Sequence, residues 1–98
     1  MKTEREKMIN GDFYDPSDEE LIKARIRAHK LAHAYSQLEV EQERSNLIKE
    51  IFGATGEKIH VEPGLRIDYG ENISVGERFY ANFDAVMLDV CPITIGDN

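Results

Sequence analysis

Ninety-eight residues with 41% apolar content can build one small domain or part of a larger one. The formal net charge of −7 weighs against nucleic acid and anionic membrane surfaces, since both need a basic footprint. The one cysteine excludes an internal disulfide framework, and apolar runs such as Ala85-Val86-Met87-Leu88 are far too short to span a bilayer. The charged N-terminus leads into no apolar h-region, so no secretory signal is predicted and the expected compartment is the cytoplasm.

Thr3-x-x-Glu6 has capping-box spacing and predicts a short helix from Thr3 to Asn10, ended by Gly11. Asp12-Phe13-Tyr14-Asp15-Pro16 reads as a turn or extended link, because proline restricts the residue before it. Ser17-Asp18-Glu19-Glu20 is a stronger helix start. Ser17 can cap, Glu20 stands three residues on, and the acids fall where the helix dipole favours them. This helix should run to about Tyr35. Leu21, Ala24, Ala28, Leu31 and Tyr35 make one apolar stripe, widened by Ile22 and Ala32. Arg25, Arg27 and Lys30 lie toward other faces. Ser36-Gln37-Leu38 is the expected bend. A further helix is expected from about Val40 to Phe52, with Val40, Leu47, Ile48, Ile51 and Phe52 inward. Gly53 suits the left-handed position after a helix end. The two longer helices should pack as an antiparallel hairpin.

From Ile59 the period changes. Ile59 and Val61, Leu65 and Ile67, then Ile73 and Val75 alternate with other residues, and corners are expected at Gly64, Gly70 and Gly76. Branched or small residues recur at steps of six: Val61, Ile67, Ile73, Phe79, Ala85 and Cys91. Ile73-x-Val75-Gly76-Glu77 returns twenty residues later as Ile93-x-Ile95-Gly96-Asp97. A step of six is neither helical nor a plain strand alternation. It marks a hexapeptide repeat that coils into a parallel β-helix. The return of twenty exceeds three sixes by two, which predicts a two-residue insertion at a corner near Phe83-Asp84 or Val90-Cys91. The expected class is therefore α+β: a helical segment over residues 1–56, then the first coils of a β-helix over residues 57–98.

Taken together, Phe13-Tyr14-Asp15, Arg25-Ile26-Arg27, Asp68-Tyr69-Gly70-x-Asn72-Ile73, Phe79-Tyr80-Ala81-Asn82-Phe83 and Ile95-Gly96-Asp97-Asn98 resemble the maltose and galactoside O-acetyltransferases. The resemblance implies a left-handed parallel β-helix, a helical maltose-acetyltransferase segment, a homotrimer and active sites between subunits. It also implies acetyl-CoA as co-substrate, a sugar hydroxyl as acceptor and no metal. Asp15, Arg25, Asp68, Tyr80 and Asn82 match acceptor-side positions. Carboxylates and an amide suit sugar hydroxyls, and Tyr80 adds an apolar face. Asp68 leans toward the maltose-type subgroup, where some galactoside-type members have serine. Val90 departs from the galactoside type, which carries a second acid after Asp89. The family's catalytic histidine falls beyond Asn98, and none of His29, His33 and His60 matches it. The chain alone is thus expected to be inactive, an N-terminal part of the enzyme.

Other readings compete. His29 and His33 have metal-ligand spacing on a helix but lack further ligands, so a solvated face is the better reading. Cys91 is expected as a small core residue of the ladder. Asp89 and Asp97 are corner residues or ligands with equal support. Spacing alone also allows Asp68 and Asn82 to be corner residues. A non-catalytic oligomerisation module from a split or decayed gene is the functional alternative. A γ-class carbonic anhydrase would need three histidines, and the coil region offers only His60. About two coils, fewer than the three such folds usually need, predict self-association or poor folding of the isolated chain.

Overall fold

The structure is a computed structural model that describes residues 2–97. Asn98, the last residue of the predicted second repeat, lies outside the described residues. Three helices precede six short strands: α1 Glu4–Ile9, α2 Glu19–Gln37, α3 Glu41–Ile51, β1 Ile59–Val61, β2 Arg66–Ile67, β3 Ile73–Val75, β4 Phe79–Ala81, β5 Val86–Met87 and β6 Ile93–Ile95.

Helix starts follow local chemistry. At α1, Thr3 accepts from the Glu6 N–H and the Glu6 side chain accepts from the Thr3 N–H, a complete capping box. At α2 the cap is Asp18, one residue past the expected Ser17. The Asp18 carboxylate accepts from the Glu20 and Leu21 N–H groups, while Ser17 bonds back to Asp15 Oδ1. A carboxylate is the stronger acceptor of the two candidates, and Asp15 competes for the serine. The buried stripe of α2 is Leu21, Ala28, Ala32 and Tyr35, with Ala24 and Leu31 half-buried and Ile22 at the exposed edge. It packs on α1, α3 and β2.

The strands pair in parallel, each with the strand three places on. Ile59 lies beside Phe79, Ile67 beside Met87 and Ile73 beside Ile93. These pairs form three separate two-stranded sheets, and every pair spans the twenty residues of the sequence return. The buried pairs begin at Ile59, Leu65, Ile73 and Phe79, so the steps between faces are six, eight and six. The two extra residues sit in the corner of residues 68–72 and, twenty later, in that of residues 88–92, which includes Val90-Cys91. This displaces the predicted ladder of sixes. Its first two members are the second residues of their pairs, and Ile73 and Phe79 are the first. Cys91 consequently falls at a corner and is exposed, not in the core, and its thiol donates to the Met8 carbonyl at 3.3 Å.

One apolar cluster joins both regions: Ala28, Ala32, Tyr35, Ile48, Ile51 and Phe52 from the helices meet Ile59, Val61, Leu65, Ile67, Ile73, Val75 and Phe79 from the strands. The Tyr35 hydroxyl donates to the Val61 carbonyl, joining α2 to β1. Gly53 does not take the left-handed conformation expected of it. It is needed because a Cβ there would lie 2.2 Å from the Glu71 carbonyl oxygen. That close approach lets the Gly53 N–H donate to Ile73 O at 2.8 Å and Ala54 bridge to Ser74. The end of the helical segment thereby pairs with β3.

Candidate acceptor site

The corner of residues 68–72 is built around Asp89, a fully buried carboxylate. Its Oδ1 accepts from the N–H groups of Asp68 at 3.2 Å and Tyr69 at 2.8 Å, and its Oδ2 from that of Asn72 at 3.2 Å. The Asn72 amide donates in return to the Asp89 carbonyl at 2.8 Å. Gly70, at φ +79°, lets the chain turn inside this ring of donors. Asp89 is thus a corner residue, as is Asp97, whose Oδ1 accepts from the Glu77 N–H at 2.8 Å.

The corner presents Tyr69 to the helices. Tyr69 is buried with Met8 and Leu21. Arg25, from the middle of α2, donates through Nη1 to the Tyr69 hydroxyl at 2.9 Å and through Nη2 to the Pro16 carbonyl at 2.7 Å. Arg5 pairs with both Glu20 and Glu71, drawing α1 onto the same corner. Asp15 precedes the proline that Arg25 holds. Its carboxyl sits below the usual range because the Ser17 hydroxyl, then the Ser17 N–H, donates to it. Burial, above all, pushes the Tyr14 phenol up. Through Pro16 and Tyr69, Arg25 thus ties the link that carries Asp15 to the corner that carries Asp68.

Tyr80 and Asn82 belong elsewhere. Tyr80 lies on β4, in register with His60 of β1, and the two rings stack with centroids 5.0 Å apart and planes at 13°. Asn82 follows at the exposed end of the strand. Tyr80 borders an open groove of about 450 Å³, also lined by Glu41, Ser45, Lys49, Lys58 and His60. Among the described residues no hydrogen bond or ion pair joins Tyr80 or Asn82 to Asp15, Arg25 or Asp68. Asp15, Arg25 and Asp68 thus lie along the link, helix and corner that the Arg25 bonds tie together, while Tyr80 and Asn82 lie at β4 and its end.

Tyr69 and His60 stand outside the predicted acceptor set. The twenty-residue return contained the signal for His60, since adding twenty to its number reaches Tyr80. His29 and His33 stand exposed on α2 and border a second groove with Ser36 and Arg66. Among the described residues no group of three or more His, Cys, Asp or Glu could hold a metal ion, and no helix is long and apolar enough to cross a membrane.

Parallel strands that return every twenty residues, covered on one side by helices, are the pattern of a hexapeptide-repeat protein. The profile described as the maltose acetyltransferase hexapeptide capping motif matches residues 7–56, and the chain belongs to the maltose and galactoside O-acetyltransferase family. The galactoside O-acetyltransferase of Escherichia coli K12 is 38% identical over 96 residues, covering 95% of this chain and 47% of that protein. The crystal structure of a maltose O-acetyltransferase from Clostridium difficile 630 is similar at a TM-score of 0.95 and 43% identity, over 99% of this chain and 53% of that one. A hexapeptide-repeat acetyltransferase of Vibrio cholerae, solved with acetyl-coenzyme A, gives a TM-score of 0.87 and 37% identity over 97% of this chain and 52% of that one. The chain spans about half the length of the curated relatives it matches.

Proposed function

We propose that the protein carrying this chain is an acetyl-CoA-dependent O-acetyltransferase that acts on a sugar hydroxyl of the maltose, glucose or galactoside type. Residues 1–56 act as a helical cap on a left-handed parallel β-helix that begins at residue 57. Asp15, Arg25, Asp68, Tyr80 and Asn82 contact the acceptor. The observation that carries the reading is the family match together with the Arg25 bonds to Pro16 and Tyr69, which tie the Asp15 link to the corner of Asp68 while Tyr80 stands on β4. A site that needs all five is completed when the Asp15–Arg25–Asp68 corner of one copy faces the Tyr80–Asn82 end of another, as in a homotrimer. Exposed apolar side chains support association, among them Phe83 at 67%, Leu88 at 63% and Val86 at 58% exposure.

In this reading a general base takes the proton of the sugar hydroxyl as its oxygen attacks the thioester carbonyl. A backbone N–H stabilises the oxyanion. The C–S bond then breaks, and the proton passes to the departing CoA thiolate. None of the three histidines of residues 1–98 suits the base. His29 and His33 lie exposed on α2, and His60 is occupied by Tyr80 and Glu62. These 98 residues alone are therefore inactive, and the enzyme works in the cytoplasm.

The test is coenzyme A release in the presence of acetyl-CoA and a panel of maltose, glucose and galactosides. The intact gene product and the isolated 98 residues are compared. Acetylated sugar from the intact product, with none from the isolated chain, is the expected result. An intact product that acetylates no sugar yet self-associates would overturn the enzyme reading in favour of an oligomerisation module.

A further inference from the structure

His60 is the one half-buried histidine among the described residues, and it is held from three sides. Its Nε2 meets Glu62 Oε1 at 2.5 Å. Its Nδ1 faces Glu41 Oε1, from the first turn of α3, at 3.4 Å. Its ring face lies on Tyr80. The same Glu62 oxygen accepts from the Tyr80 hydroxyl at 3.4 Å. One carboxylate thus clips the edges of two stacked rings, and a helix residue braces the far side of the imidazole. The parallel register of β1 and β4 puts the two rings side by side. Lys49 and Lys58 line the same groove.

Tyr80 is nevertheless 59% exposed. One face of its ring is covered by the imidazole and much of the rest is open. A flat ring held in one rotamer binds an apolar face at lower entropic cost than a mobile one. We infer that His60 is a positioning residue for the acceptor, holding the Tyr80 ring as a fixed platform for the apolar face of a sugar, with Glu62 as the clip between the rings. The inference rests on the proposed acetylation of a sugar beside Tyr80. The hydrogen bond from His60, first among its causes, holds the Glu62 carboxyl below the usual range.

Steady-state kinetics of the intact gene product test this, with sugar and acetyl-CoA varied separately. His60→Gln keeps a side-chain donor for Glu62 but removes the stack, and His60→Phe keeps the stack but removes the donor. For His60→Gln we expect the acceptor KM to rise about fivefold, the scale of one lost aromatic pair, with the KM for acetyl-CoA unchanged. His60→Phe should restore most of the acceptor KM. In a Tyr80→Ala background, His60→Gln should add nothing. An active parent whose acceptor KM ignores His60→Gln overturns the positioning role alone. So does an effect that adds in full to that of Tyr80→Ala, or an equal rise in both KM values. A parent that acetylates no sugar overturns the acetyltransferase reading, and this inference with it.

Discussion

Asp89→Ala should loosen the corner that carries Asp68 and Tyr69. The carboxylate is fully buried and accepts three backbone N–H groups, those of Asp68, Tyr69 and Asn72. Only Tyr69 is itself buried, whereas Asp68 and Asn72 are half-buried, so water can reach their donors once the carboxylate is gone. Stranding a buried donor costs about 1–3 kcal/mol, and the two outer groups sit at the low end. The sum is about 3–5 kcal/mol, the range seen when a buried charged network loses a partner. For a domain of this size about 3 kcal/mol lowers Tm by roughly 12–24 °C. Asp89→Asn should fall between the parent and the alanine variant. It keeps an oxygen for Asp68 and Tyr69 but turns an amide N–H toward the Asn72 donor, at a cost of about 1–2 kcal/mol. Thermal melts followed by circular dichroism check both. An alanine variant that melts with the parent would refute the reasoning, because the clamp would then contribute nothing.

Three further outcomes follow from the local geometry. Asp18→Ala should cost about 1 kcal/mol in urea denaturation, the usual loss for a helix N-cap, while Ser17→Ala should leave the start of α2 intact. The reverse order would return the cap to Ser17. Gly70→Ala should destabilise by about 2–3 kcal/mol, because it forces a side chain into positive φ and sets its Cβ 2.7 Å from the Ile51 carbonyl oxygen. A neutral Gly70→Ala melt would show that the corner can shift freely. Glu4, held low by Lys7, Asp15, held low by Ser17, and Glu62, held low by His60, all have folded carboxyl pKa values below their ordinary ones. The unfolded chain therefore takes up protons first as pH falls. Their stabilisation is present above the ordinary carboxylate range and is lost below about pH 5. Urea midpoints measured from pH 7 to pH 3 should drop, and a flat or rising profile would contradict the sign.

The helical half is largely legible in the chain because its signals are local. The Thr3–Glu6 box and the stripe from Leu21 to Tyr35 need only spacings of three and four residues. The cap of α2 missed by one residue because Asp15 takes the Ser17 hydroxyl, a contact that depends on how the link folds back. Gly53 misled in another way. A glycine after a helix suggests positive φ, but the contact that needs it is the Glu71 carbonyl, eighteen residues on.

The sequence by itself determined the helices, the corner glycines and the twenty-residue return, and through that return the register of β3 on β6. These features rest on short spacings and on repetition, which a linear chain displays directly. Only the tertiary structure decided where the two extra residues of each return sit, and so why Cys91 leaves the core. It also decided that Asp89 closes a corner, that Arg25 reaches Tyr69 and that His60 lies beneath Tyr80. Each of these depends on which side chains are brought together once the register is set and the helices are laid against the strands. Burial then selects among groups that look alike in the chain, since an aspartate ringed by backbone donors and one left in water carry the same letter.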